Sequence, residues 1–472
     1  MSGLHEECGV YGIISTGRKE VAQLTYMGLF ALQHRGQQSC GIAVNDDGVF
    51  RLRKELGLVS EVFDDNAIRE LGQGNMAVGH VLYGMGASNR ANCQPLDVRH
   101  IKGRLVLANN GTLTNATELR TGLELQGSIF TSSSNAELIA HTITRARLAS
   151  PSIEVAVSAA MNSLEGAYSL VMLSPRKLIA VRDPHGLKPM CYGRTEEGDY
   201  VVASESCALN ATGAEFIRDI EPGEIVVFSK DGITSIRDHC GKKEKNLCVF
   251  EYVYFARPDS RVDGVSVHLA RKQAGRILAQ ERPVDADVVV GVPDSGLDAA
   301  VGYAEHSGIP YGIGLIKNRY IARTFISPGQ TSRENKVRLK LNPVESVVNG
   351  KRVILIDDSI IRGTTSKRLV SLLRAVGAKE VHMRISSPPF IHACYYGVDT
   401  GPEDKLISCK YSPEEIAEII GADSLGFMSL EGVKSLGGDG HCCTACFDGK
   451  YPTTILTQPY TDRFERKLSE RV

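Results

Sequence analysis

The sequence predicts an α+β domain of layered sheets and helices over residues 8–235, followed by an α/β domain with a doubly wound parallel sheet over 255–400. The first expectation rests on seven short runs rich in β-formers and broken by Gly or Asn, with helical patterns between them. The second rests on Val/Ile-rich strands that each lead into a helical pattern, the alternation of a parallel sheet buried on both faces. Length agrees, since 472 residues at about 150 per domain allow two to four units.

In chain order, the strands of the first unit are 8–15, 40–46, 76–84, 103–111, 168–174, 177–183 and 223–229. Helices are expected at 21–36 and 136–149, where apolar residues recur every three or four positions. The boundary falls within 230–260. Beyond it, strand 286–293 precedes helix 297–308, 311–316 forms a strand, and strand 351–358 precedes helix 364–378. Residues 401–472 follow as a C-terminal segment with a helix at 412–422, a Cys-rich stretch at 438–452 and a polar tail.

With 54 Lys+Arg against 55 Asp+Glu, the net charge of −1 gives no electrostatic argument for nucleic acid or an anionic membrane as partner. No stretch approaches the roughly 18 apolar residues of a membrane span. MSGLHEECGV has neither the basic start nor the apolar run of a secretory signal, so a cytoplasmic protein is expected. Twelve cysteines are too sparse for a disulfide scaffold and numerous for a reducing compartment, which points to a few with chemical roles.

The sharpest motif is VILIDDSIIRGTTS at 353–366, an apolar strand ending in two acids and a turn of small hydroxyl residues that opens a helix. Ligands of α/β sheets bind at such strand ends. Arg362, Gly363, Thr364, Thr365 and Ser366 can surround a phosphate at the helix N-terminus, while Asp357 and Asp358 suit ribose hydroxyls and Mg²⁺. This resembles the phosphoribosylpyrophosphate (PRPP) loop of type I phosphoribosyltransferases. A second strand end, VPDSG at 292–296, places Asp294, Ser295 and Gly296 for a pyrophosphate–Mg²⁺ group. Lys317, Asn318, Arg319, Tyr320 and Arg323 then lead into a cation-rich stretch, 324–340, that reads as a mobile cover excluding water from the activated sugar.

Near the start, Cys8 follows His-Glu-Glu and precedes the strand-like GVYGI. Taken with LQHRGQQSCGIAV (32–44), GHVLYGMG (79–86) and ANNGTLTNATEL (108–119), it resembles an N-terminal-nucleophile glutaminase. That resemblance implies removal of Met1 to Glu7 as a propeptide, so that the new α-amine serves the Cys8 thiol as base. Asn110 and Gly111 match the oxyanion hole.

Together the halves resemble the glutamine phosphoribosylpyrophosphate amidotransferase family over nearly the whole chain, with EYVYFARPDS (251–260), KNRYIARTF (317–325) and RDPHGLKP (182–189) adding to the match. The fold implied is a glutaminase-like α+β domain followed by a type I phosphoribosyltransferase domain. The reaction implied is glutamine hydrolysis at Cys8, then displacement of pyrophosphate from PRPP by the ammonia, giving 5-phosphoribosylamine for purine synthesis. Mg²⁺ is implied at Asp357, Asp358 and Ser295, and a homotetramer or dimer with nucleotide feedback sites is implied as the assembly.

The match fails where the family binds the amino-acid head of glutamine. Leu82 stands at an arginine that holds the α-carboxylate, and Asn135 at an aspartate that holds the α-amine. Gly84-Met85 is one residue short of the family's hydroxyl-bearing turn, and Asn109 stands where His is common. Hydrogen bonds to charged groups are worth roughly 1.5–3 kcal/mol, so losing two weakens glutamine by about 10²- to 10⁴-fold unless neighbours compensate. Free ammonia, or another donor, is the alternative. A PRPP-sensing regulator is the third reading, and the basic helix-turn-helix it would need is not visible.

Cys443 and Cys446, two residues apart, suit one metal centre. The family resemblance adds Cys248 and Cys394, completing a structural [4Fe–4S] site, with zinc as the chemical runner-up. Cys442 is read as a bystander, and Cys40, Cys93, Cys191, Cys207, Cys240 and Cys409 as small hydrophobes.

Overall fold

The computed structural model describes residues 8–83, 89–318 and 341–456. Two antiparallel sheets form the first domain. Strands Gly9–Lys19, Ser39–Asp46, Val49–Leu56, Gly74–Leu82, Cys191–Thr195, Tyr200–Ala203 and Ala214–Asp219 make one. Leu96–His100, Gly103–Asn110, Ser169–Leu173, Leu178–Arg182, Ile225–Ser229 and Gly232–Ile236 make the other.

The central strands are buried on both faces, and period-2 alternation sorts their side chains into separate cores. Val10, Ala43, Val78, Ala108, Val171, Ala180 and Val202 fill the space between the sheets. On the outer face of the first sheet, Tyr11, Ile13, Ile42 and Val81 pack with Leu29 of helix Val21–Ala31 and Leu209 of helix Ser206–Ala211. Leu107, Leu170 and Val181 of the second sheet pack with Ile139 and Ile143 of helix Asn135–Ala149. Four layers result, helix, sheet, sheet and helix.

The second domain is built on four parallel strands in the order Val288–Gly291, Arg352–Asp357, Glu380–Ile385 and Ser424–Phe427. Alternation again divides the faces. Val289, Ile354 and Ile356 pack with helices Val267–Glu281 and Leu297–Ser307, while Val288, Val353 and Leu355 pack beneath helices Thr364–Ala375 and Pro413–Ile420. The fourth strand comes from beyond residue 400, so that segment completes the parallel sheet. Of the expected strand at 311–316, only Leu315–Lys317 is regular, and it pairs antiparallel with Leu341–Pro343 outside the main sheet.

The domains are tied at several points. Arg182, almost without exposed surface, makes a two-pronged pair with Asp263 at 2.7 and 3.0 Å. Leu247–Cys248 pairs in parallel with Cys442–Cys443. Thr114 and Thr453 hydroxyls lie 3.1 Å apart. Among the described residues no helix is long and apolar enough to cross a membrane, and all twelve cysteines are free.

Leu355 is fully buried at the centre of the parallel sheet. Leu355→Ala is expected to cost the second domain about 2–5 kcal/mol, read as a lower midpoint for its unfolding transition in urea.

Candidate active sites

Cys8 precedes the Gly9–Lys19 strand, where Gly9 pairs with Val81 and, one strand further, Ser39 pairs with Leu82. Three strand ends therefore converge on the thiol. Cys8 Sγ donates weakly to Tyr83 O at 3.5 Å, and the Cys8 carbonyl accepts Arg35 Nε–H at 3.2 Å. His80, on the strand paired with that of Cys8, bridges to the facing sheet, its Nε2–H donating to Asn109 O at 3.0 Å. Burial lowers the His80 pKa to about 4, which keeps this ring neutral.

Asn110 ends the Gly103–Asn110 strand, and its Nδ2 is buried with no hydrogen-bond partner among the described residues. A buried donor left open is costly unless something else accepts from it. Gly111 follows with φ of 125°, and a Cβ there would lie 2.4 Å from Ala167 O. Only glycine makes this turn. An open amide donor beside a glycine turn, at the edge where the thiol lies, can receive the negative oxygen of a tetrahedral intermediate.

Leu82 is half-buried at the end of its strand. Asn135 is the first residue of helix Asn135–Ala149, after the Ser134 cap, and its Oδ1 is buried without a partner among the described residues. Gly84 and Met85 lie outside the described residues.

The residues expected to hold phosphate lie at the ends of two neighbouring parallel strands. Asp357 and Asp358 are both nearly buried. Ser295 Oγ donates to Asp358 Oδ1 at 2.6 Å and Ser359 Oγ to Asp358 Oδ2 at 2.6 Å. Gly296 permits this meeting, since a Cβ on it would stand 2.3 Å from Ile356 O. Burial, and next the Asp358 charge, raise Asp357 well above the usual carboxylate range. Two such acids side by side call for a cation. Lys317 pairs with Asp294 at the rim. Gly363, with φ of 75°, leads into helix Thr364–Ala375, leaving Thr364 exposed, Thr365 half-buried and Arg362 exposed at its N-terminal end. Arg323 and the remaining stretch 319–340 lie outside the described residues.

Cys248, Cys394, Cys443 and Cys446 line one cavity with Phe250, Phe390, Tyr396 and Tyr451. Burial raises Cys248, Cys443 and Cys446 above the ordinary thiol range. Cys442 is buried elsewhere, under Gly437 and among residues packed with Tyr252. Cys40, Cys93, Cys191 and Cys207 are buried as expected, but Cys240 is half-buried and Cys409 exposed, because neither lies in a core strand or helix face.

The sequence reading assigned no role to three charged residues that meet beneath Cys8. Arg35 Nη1 donates to Glu205 Oε1 at 2.5 Å and to Glu251 Oε2 at 3.0 Å, and Nη2 donates to Glu251 Oε1 at 2.5 Å. None of the three side chains has exposed surface. Burial alone would raise Glu205, but His34 and Arg35 hold it well below the usual carboxylate range. The available signal was Glu251 itself, a lone acid inside the apolar run NLCVFEYVYF.

Residues 86–211 match a family model described as a glutamine amidotransferase domain, and residues 266–389 one described as a phosphoribosyl transferase domain. Fold and sites thus define a glutamine amidotransferase-type domain joined to a phosphoribosyltransferase-type domain. The chain is similar to the amidophosphoribosyltransferase of Methanocaldococcus jannaschii, at 49% identity over 95% of this chain and 98% of that one. It is similar to that of Bacillus subtilis at 48% identity over 96% of each chain. A solved structure of the B. subtilis glutamine PRPP amidotransferase with ADP and GMP superposes with a TM-score of 0.89 at 46% identity, covering 96% of this chain and 99% of that one. The chain belongs to the amidophosphoribosyltransferase family.

Desolvation pushes the Cys8 thiol up to about 11, and while residues 1–7 are attached its neighbouring nitrogen is an amide, not an amine. Thiolate is the reacting form. Alkylation of Cys8 by iodoacetamide in the uncleaved chain is expected to climb about tenfold per pH unit from pH 7 to 10. After removal of residues 1–7, it is expected to level off above the ordinary α-amine range of about 8. A flat profile in the uncleaved chain would contradict the desolvated thiol.

Proposed function

We propose that the chain makes 5-phosphoribosylamine from PRPP, using ammonia released from glutamine, as the entry step of purine synthesis. One observation carries this reading: a thiol at a sheet edge, an open buried amide donor at Asn110 and a paired-acid loop at Asp357-Asp358 belong to one chain whose two domains meet in a buried charged junction. The relatives' names favour glutamine as the donor, and nothing in them favours another.

In the glutaminase half, cleavage before Cys8 frees an α-amine that takes the thiol proton. The sulfur attacks the side-chain amide carbon, and the oxygen that gains charge is received by Asn110 Nδ2 and the Gly111 N–H. Arg35 anchors the nucleophile by its carbonyl. Collapse expels ammonia, and water then releases glutamate. Asn135 Oδ1, buried and unpartnered, is an acceptor that a substrate ammonium can use in place of a carboxylate.

In the transferase half, ammonia attacks the anomeric carbon of PRPP and pyrophosphate leaves. Gly363, Thr364 and Thr365 at the helix N-terminus, with Arg362, receive the 5-phosphate, and Asp294, Ser295, Gly296 and Lys317 serve the pyrophosphate. Asp357 and Asp358, with Ser295, fit Mg²⁺, which when bound would neutralise the leaving group. Mg²⁺ is commonly held by one or two carboxylates plus substrate phosphates, which Asp357 and Asp358 can supply.

Four thiols around one apolar cavity suit a thiolate-held metal centre, for which the family resemblance favours a [4Fe–4S] cluster over zinc. Its role would be structural, because Cys248, Cys394, Cys443 and Cys446 come from three separate stretches of chain. A cytoplasmic location belongs to the proposal, supported by twelve free cysteines. So does a homo-oligomer, dimer or tetramer, with exposed Met27 and Phe30 on one helix as apolar surface to be covered.

Pyrophosphate release from PRPP and Mg²⁺, with glutamine and ammonium compared in parallel, tests the reaction. Turnover with both is expected. Turnover with ammonium alone would leave the transferase standing and remove glutamine as donor, and Leu82→Arg with Asn135→Asp should then restore glutamine use. For the metal site, protein purified without oxygen is expected to carry about four irons per chain. Cys446→Ser should lose them, and stoichiometric zinc instead would overturn the cluster.

A further inference from the structure

Glu251 belongs to the second domain by packing. It opens the helical turn Glu251–Phe255, whose neighbours Phe250, Tyr252, Val253 and Phe255 share a core with the helices and strands of the parallel sheet. Arg271 of helix Val267–Glu281 grips that turn from the far side, donating through Nε to Tyr252 O at 2.9 Å and through Nη2 to Ala256 O at 2.7 Å. Yet the carboxylate of Glu251 reaches the other way. Both its oxygens accept from the guanidinium of Arg35, whose Nε–H holds the carbonyl of Cys8.

The guanidinium thus has three duties at once: Nε on the nucleophile's main chain, Nη1 on Glu205 of its own domain, and both Nη atoms on Glu251. A planar fork with fixed angles cannot turn to satisfy one partner without leaving another. Without Glu251 the fork would lose the carboxylate that both its Nη atoms share.

We propose that Glu251 is a positioning residue of the glutaminase: through Arg35 it sets the main chain of Cys8, so the nucleophile of the first domain is aligned by a carboxylate of the second. The inference rests on the glutaminase reading of Cys8. It concerns alignment, not binding, and so predicts a loss in kcat for glutamine hydrolysis with little change in KM.

Glu251→Gln keeps the shape of the side chain and removes its charge, and Arg35→Lys keeps the charge and removes the fork. Both are made in the full chain. Glutamine hydrolysis, ammonium-dependent pyrophosphate release, and iodoacetamide alkylation of Cys8 and of exposed Cys409 are measured on each. In both variants kcat for glutamine should fall roughly 10- to 100-fold, the loss of a hydrogen bond to a charged group. Cys8 alkylation should change with it. KM, ammonium-dependent release and Cys409 alkylation should stay within about twofold. Wild-type kcat in Glu251→Gln would overturn the proposal, and so would parallel loss of both activities in both variants, the mark of a general structural role. If the wild type itself hydrolyses no glutamine, the glutaminase reading fails, and Cys8 against Cys409 alkylation alone decides the inference.

Discussion

A guanidinium with no exposed surface cannot be left without counter-charge, and the junction of the two domains is organised around that constraint at Arg35. Removing an ion from water costs several kcal/mol, returned only if partners are close and its donors are filled. Glu205 and Glu251 supply those partners from the two sides of the junction. The Arg182–Asp263 pair is a second buried ion pair between the domains. Paired charges of this kind add little net stability over an apolar contact of the same volume, but they are intolerant of misalignment. The interface is thereby confined to one register.

The transferase half solves a different problem with the same economy. Its parallel strands are covered on both faces, so polar chemistry has room only at their ends. Val290 and Leu355 are wholly buried, and within three residues of each the chain emerges as Pro293-Asp294-Ser295 or Asp357-Asp358. Because neighbouring strands stop at matched register, Gly291 opposite Ile356, the two loops meet and Ser295 reaches Asp358.

Much of this was legible in the sequence. Continuous Val/Ile runs marked the parallel strands, and a helix following DDSIIRGTTS marked the phosphate end, because period and composition report burial directly. Cys8 and Asn110 could be placed by motif, and the structure brings them to one edge. Helix Val267–Glu281 was missed because its buried face is largely Ala270, Ala274, Ala279 and Arg271, too weak an apolar stripe to detect. Glu380–Ile385 was missed because His382 and Arg384 interrupt its apolar residues, though both are nearly buried by hydrogen bonds. Arg35, Glu205 and Glu251 share the same obstacle: a charge reads as surface until its partner, 170 or 216 residues away, is known.

The Thr114–Thr453 contact and the pairing of Leu247–Cys248 with Cys442–Cys443 have a meaning for the order of synthesis. The turn that carries Gly111 is buttressed by chain that leaves the ribosome 339 residues after Thr114. A nascent first domain, however well folded, lacks that buttress and the Glu251 clamp together. The turn that carries Gly111 thus takes its last support only once the second domain has been made.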